Sequence, residues 1–231
     1  MEVLEKMKKT KYSWITSIPE NWDLIRIKYL YNEIVDLSQS GDEELLSVSN
    51  YTGVRPKTES ISEEGDNLTN AASLVGYKLV KKGDLVINIM LAWNASLGVS
   101  DFDGIVSPAY CVYRLKDLEN NNPRFFNYLF KTEKYKAVFK RNSTGIIDSR
   151  LRLYTDKFFS IPAIVPSIEE QNDIVAYLEQ KLSAIDELIS RNEIIFGKSD
   201  RKTGLLQDYK KSLIEETVLG IMSINKKTGN N

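Results

Sequence analysis

The chain has 231 residues, with 31 Lys plus Arg against 32 Asp plus Glu, 42% apolar residues and no histidine. That apolar share sustains a core in one generous domain, or in a domain of about 150–170 residues carrying an extension, and argues against disordered and fibrous classes. The lack of histidine excludes a Ser-His-Asp or Cys-His unit, an HExxH zinc site and a histidine proton shuttle.

The longest apolar stretch, Leu85 to Trp93, is interrupted by Asn88 and is too short to cross a bilayer. The expectation is therefore a cytoplasmic protein with no signal peptide and no membrane partner. Cys111 is the only cysteine and lies in the apolar segment Ala109–Val112, which predicts a buried thiol and no internal disulfide. Overall neutrality conceals a division of charge. Residues 31–75 hold two basic and nine acidic side chains, whereas residues 131–157 hold eight basic and three acidic. A positive surface can therefore form locally and attract a polyanion, whatever the overall balance.

In chain order, Trp14, Ile15, Ile18, Pro19 and Trp22 predict a loop pinned to the core by two indoles. Leu45–Ser49 reads as a short strand and Asn50–Val54 as the turn leaving it, with Arg55 and Lys57 flanking Pro56 in an exposed connection. Tyr77–Val80, Leu85–Leu91 and Ala109–Leu115 form strand patterns separated by turns at Lys82–Asp84 and Asp101–Gly104. Pro123 opens a helix whose apolar face carries Phe125, Phe126, Leu129 and Phe130. Phe158 through Val165 returns to the core. Ser167, with Glu169 and Glu170 behind it, starts the C-terminal helical region.

That region keeps a heptad register from about 174 to 213, with Ile174, Leu178, Ile185, Leu188, Ile195, Leu206, Tyr209 and Leu213 as its interface positions. A continuous helix over 168–218 would reach about 75 Å and would need another helix to cover its apolar side. Gly197 and Gly204 admit a second reading, a helical hairpin turning between them. The pattern fits both. Residues 225–231 read as a disordered tail.

Candidate chemistry is sparse. Asp84, Asp101 and Asp103 lie at predicted turns, and no glycine-rich dinucleotide loop or GxxxxGK[ST] phosphate loop is present. Asn122-Pro123-Arg124-Phe125 has an arginine where a methyltransferase tetrapeptide would carry its second proline, and a helix start explains it better. Lys140, Arg141, Arg150 and Arg152 surround a loop containing Asn142, Ser143 and Thr144. Long cations there can reach phosphates while the shorter polar groups approach base edges, and a solvated surface loop is the plain alternative. Trp93 and Asn94 fit either core packing with a turn amide or contact with a base.

Several short motifs in a fixed order carry a resemblance across about 200 residues: Ile18-Pro19-Glu20-Asn21-Trp22, Leu46-Ser47-Val48-Ser49 with Gly53-Val54, and Lys82-Gly83-Asp84-Leu85-Val86. They continue as Thr144-Gly145 with Arg150-Leu151, Ile161-Pro162, Pro166 with Glu170-Gln171, Ile185-Asp186 and Leu205-Leu206 with Tyr209-Lys210. Together they resemble the specificity subunits of type I DNA restriction-modification systems, covering one target-recognition domain and one conserved helical segment.

The resemblance implies an α/β (α+β) target-recognition domain with a mixed, strongly twisted sheet over 1–166, then a helical dimerisation or spacer arm over 167–220. It implies a subunit without catalysis of its own that reads half of a bipartite double-stranded DNA target. Arg55, Lys57, Trp93, Asn94, Lys140, Arg141, Asn142, Ser143, Thr144, Arg150 and Arg152 are its DNA-contact candidates. The chain itself is expected to hold no metal or cofactor. S-adenosylmethionine, ATP and magnesium would belong to the partner methyltransferase and restriction/translocase subunits. Full specificity subunits resemble two such halves, so a homodimer through 168–218 is expected to rebuild one. A helical adaptor or a decoy that occupies the methyltransferase without directing DNA recognition is the competing expectation.

Overall fold

The structure is a computed structural model that describes residues 6–60, 73–147, 150–196 and 200–221. In chain order its elements are β1 (Met7–Tyr12), β2 (Ile15–Pro19), β3 (Asp23–Arg26), α1 (Ile27–Leu30), β4 (Tyr31–Ile34), β5 (Leu46–Ser49), β6 (Gly53–Pro56) and α2 (Lys57–Ser60). They continue with β7 (Lys78–Val80), β8 (Leu85–Ile87), β9 (Leu97–Val99), β10 (Gly104–Val106), β11 (Cys111–Leu115), α3 (Pro123–Phe130), α4 (Glu133–Asn142) and α5 (Thr155–Ser160). The last are β12 (Pro162–Val165), α6 (Ile168–Phe196) and α7 (Arg201–Val218). Two compact units result, one of Leu24–Ala163 and one of Met1–Asp23 with Ile164–Asn231.

In the 24–163 unit, β4, β11, β8 and β9 form a four-stranded sheet in that order, antiparallel at each pair. Hairpin β5–β6 and the pair β7–β10 are also antiparallel, and the isolated bridge Leu45–Ile105 is a parallel contact. The expected mixture of helix and strand is present, while the expected single mixed sheet is replaced by these smaller antiparallel pieces. The cause is connection length, since β8–β9 and β5–β6 are joined by segments too short for the crossover that a parallel pair requires.

Alternation along the strands sends Leu46, Val48, Val54, Val80, Val86, Val106 and Val112 into one apolar cluster. A second core is aromatic. Asn122 caps α3 by accepting from Arg124 N, Pro123 fills the first helical position, and Thr132 caps α4 by accepting from Tyr135 N. Helical spacing then buries Phe125, Phe126, Phe130, Tyr135 and Phe139 completely, with Phe158 from α5. Phe130 meets Phe158 edge-on at 5.8 Å and Tyr31 meets Phe126 edge-on at 5.8 Å, the arrangement that ring quadrupoles favour.

Asp84 keeps its predicted turn but does more than close it. It is buried, accepts from Lys81 N at 2.8 Å, and holds Arg114 through two bonds of 2.7 Å from Nε and Nη2. Asp103 does stabilise its turn, accepting from Lys82 N at 2.7 Å. The Cys111 thiol is buried beside the Thr155 hydroxyl at 3.7 Å.

In the other unit, the segment expected as a pinned loop is the hairpin β1–β2, antiparallel with a break in register between Lys9 and Tyr12. Both edges of β1 are polar, which hid its strand character. Trp22 is buried, and its indole N–H and the Asn21 amide both donate to Glu170. Gly220, at φ +68°, closes the end of α7, where a β-carbon would come within 2.6 Å of Pro19. These contacts place residues 6–23 with the helices, so compactness divides the chain differently from a single cut at 166.

The long helical region is two helices. Lys210 donates to Asp186 at 2.7 Å, while Asn192 donates to Asp200 at 2.9 Å and to Thr203 at 2.8 Å, so α6 and α7 run antiparallel. The continuous 75 Å helix is therefore excluded. Asp200 caps α7 by accepting from Lys202 N, and Gly204, one of the proposed turn boundaries, lies inside α7 with open space around it. Residues 197–199 and the tail 225–231 lie outside the described residues.

Candidate nucleic-acid interface

Helix α4 ends at Asn142 with Lys140 and Arg141 in its last turn, where cations complement the negative end of the dipole. The Asn142 amide donates to Val138 O at 2.8 Å and the Ser143 hydroxyl donates to Phe139 O at 2.7 Å. Both side chains therefore finish the helix in this structure, a use that competes with their expected reading of base edges. The chain next leaves in a short excursion clamped at its base. Thr144 N donates to Arg152 O at 2.8 Å and Arg152 N donates to Thr144 O at 2.9 Å.

Gly145 starts the excursion at φ +154°, and a β-carbon there would lie 2.6 Å from Arg150 O. Only glycine fits that approach. The tip carries Ile146 and Ile147, both exposed, and the exposed Arg150. Leu151 and Leu153 are buried and anchor the returning strand, which bonds through Leu153 N to Ile89 O at 3.0 Å. Arg152, half-buried, donates to Leu151 O.

The turn after β8 joins this neighbourhood. Ala92–Asn94 makes a single 3-10 turn against α4, and the Lys140 ammonium lies 5.5 Å from the Trp93 ring centroid. That distance is within cation–π range. Trp93 is half-buried and donates to Met90 O at 3.2 Å, while Asn94 is exposed. The fold thus gathers Trp93, Asn94, Lys140 and the 142–152 loop into one region.

Arg55 and Lys57 occupy another part of the unit. Arg55 projects from β6 with its guanidinium 6.0 Å from the Phe102 ring centroid, and Lys57 opens α2 half-buried. Arg55 also lines an open pocket of about 160 Å³ with Thr52, Asp101, Arg124, Asn127 and Lys131. Arg124 pairs with Asp101 at 2.9 Å. Burial, assisted by the charge of Lys136, pushes Lys131 down to about 8. Sequence reasoning passed over Lys131 and placed Arg124 only in a helix start. The only available signal was a lysine at the junction of two helices, which reads as an ordinary helix end.

The interface positions also separate. Ile174, Leu178, Ile185 and Leu213 are buried within their own unit, which corrects their expected availability to a partner. Leu188, Ile195 and Tyr209 are exposed by 52%, 69% and 57%, and Leu206 is half-buried. Folding back into a hairpin explains this split, because α7 covers a face that a single long helix would have left open. Among the described residues no group of histidine, cysteine and carboxylate side chains is placed to hold a metal, and no helix is long and apolar enough to cross a membrane.

Comparison with solved structures finds the HsdS subunit from Thermoanaerobacter tengcongensis at 16% identity and a TM-score of 0.55, covering 80% of this chain and 48% of that one. A chain from a structure addressing complex assembly and conformational transition of the type I R-M system matches at 16% identity and a TM-score of 0.56. That match covers 93% of this chain and 52% of the other. The chain thus spans about half the length of these structural relatives, and at such identity the likeness is one of fold. No curated protein matches in sequence. The sequence profile of the type I restriction modification DNA specificity domain matches residues 19–194, well over half of the chain. The protein belongs to that family.

Proposed function

We propose that this protein recognises double-stranded DNA as a specificity subunit of a type I restriction-modification complex in the cytoplasm. The clamped 144–152 excursion carries this reading: its backbone is fixed at the base while Arg150 and the tip face solvent, with Lys140 and Trp93 alongside. Fixed geometry lowers the ordering cost of recognition. The exposed cations supply attraction to phosphates that depends on salt.

Within this reading, the 24–163 unit reads half of a bipartite target, with Arg141 and Arg152 supporting the contact. The exposed Leu188, Ile195 and Tyr209 join a second copy or a partner subunit. Methyltransferase and restriction subunits contribute S-adenosylmethionine, ATP and magnesium, and this chain contributes position. The test is equilibrium binding to cognate and scrambled duplexes, with the methyltransferase subunit present. The combined Lys140→Ala, Arg141→Ala, Arg150→Ala and Arg152→Ala variant is expected to lose most affinity. Unchanged binding would remove this surface from the proposal. Association of the protein with the methyltransferase while neither binds nor directs methylation of DNA would favour the decoy reading instead.

A further inference from the structure

The pocket beside β6 is separate from the 142–152 loop and has an unusual charge arrangement. Arg55, Arg124 and Lys131 bring three cations to one opening, and Asp101 is the one carboxylate among its lining residues. Asp101 is engaged by Arg124. Asn127 accepts from Val99 N through Oδ1 at 3.2 Å, which turns that oxygen toward the backbone and fixes the amide so that its NH2 remains as a donor.

Lys131 is the C-cap of α3, where a cation is favoured by the helix dipole. The dipole does not account for where the ammonium lies. Its side chain is half-buried, its ammonium makes no hydrogen bond or ion pair among the described residues, and a β-carbon on Gly53 would stand 3.3 Å from Nζ. Gly53, at φ +70°, has no side chain to fill that space. A half-buried charge without a partner costs stability, and such arrangements are kept where a ligand completes them. The depressed pKa of Lys131, about 8, agrees with an ammonium deprived of solvent and counter-charge.

We infer that this pocket seats a phosphate group of the DNA backbone, with Lys131 as its central cation and Arg55, Arg124 and the Asn127 amide as flanking donors, an assignment that rests on the DNA-reading role proposed above. Phosphate fits because its oxygens can accept from several donors at once, including a lysine point charge and planar guanidinium groups. The contact would fix register along the duplex without reading a base.

The experiment measures binding of a labelled duplex to wild type, Lys131→Met and Lys131→Arg, each with the methyltransferase subunit, over a salt series at pH 7 and pH 9. Lys131→Met is expected to weaken binding by about tenfold on cognate and scrambled duplexes alike, and to lower the slope of log affinity against log salt by about one. Wild type is expected to lose affinity between pH 7 and pH 9, as Lys131 gives up its proton, by more than Lys131→Arg does. Thermal melting guards the interpretation: Lys131→Met should melt at or above wild type, since it removes an unpaired charge, and a markedly lower melt would assign Lys131 to packing and overturn the inference. Normal duplex binding by wild type with an unchanged Lys131→Met slope would overturn the phosphate seat while leaving DNA reading intact. Failure of wild type to bind any duplex would instead defeat the DNA-reading role. Inorganic phosphate perturbing the pocket resonances in nuclear magnetic resonance spectra, with duplex affinity unaffected by Lys131→Met, would identify a free-anion site and also overturn it.

Discussion

The aromatic core beneath α3, α4 and α5 and the helical pair α6–α7 bury apolar surface in contrasting ways. In the first, Phe125, Phe126, Phe130, Tyr135, Phe139 and Phe158 are all fully covered and contact one another in tilted or edge-on pairs. In the second, Leu178, Leu182, Ile185 and Leu213 are covered, yet Leu188, Ile194, Ile195, Leu205 and Tyr209 remain exposed. The core satisfies itself, whereas the pair leaves apolar area for another surface to cover. The difference puts a fully covered aromatic core in the unit proposed to read DNA and exposed apolar side chains on the helices.

The sharpest way to break this contrast is Phe130→Ala. The ring touches Tyr31, Phe126, Tyr135, Phe139 and Phe158, and its loss is expected to cost about 3–5 kcal/mol in denaturant unfolding. Next is Asp84→Ala, which strips Arg114 and Lys81 N of their acceptor and should cost about 1–3 kcal/mol. Replacing Leu188 and Tyr209 by lysine should change folding stability by no more than about 0.5 kcal/mol each, while abolishing any self-association seen by sedimentation. Equal association before and after would place the adhesive surface elsewhere.

The smallest expected effect concerns the helical turn. Asp200 accepts from Asn192 and from the first turn of α7, and these bonds hold its carboxyl below the usual carboxylate range. A depressed folded pKa means that its contribution is present above the ordinary aspartate pKa and is lost as acid drives the pH down through the folded value. Asp200→Ala should therefore lower the melting temperature slightly near neutrality, and the gap should close in acid.

Legibility in the sequence followed how local the cause was. Helix α3 announced itself through Asn122, Pro123 and the aromatic spacing, all within one element. Strands β5, β7, β8 and β11 were legible from their apolar patterns, although Leu85–Leu91 ended early, at Ile87, where the chain turns through Ala92–Asn94. Strands β4, β9 and β10 were not, and Gly53–Pro56, which reads as a turn and an exposed connection, is strand β6, paired with β5. Strand β1 was missed because Met7–Tyr12 is largely polar and alternates only between exposed and half-buried positions. The hairpin remained open at the sequence level because the heptad pattern crosses the turn without a phase change. Distant pairs such as Asn192 with Thr203 decide it.

The 140–152 loop was visible as a run of cations, but the assignment of Asn142 and Ser143 to helix-terminal carbonyls required coordinates. The Lys131 pocket was invisible for a similar reason. Gly53, Asp101, Arg124 and Lys131 are distributed along the chain, and only the packing of β6 and β9 with α3 gathers them.

The doubled-back course of α6 and α7 also alters how evolution or engineering could change their reach. Residues inserted at the tip must be divided between an outgoing and a returning leg, so extension proceeds at about 0.75 Å per added residue, half the rise of a single helix. A helical pair built this way lengthens in small increments, and its two legs must grow together to keep their side chains in step.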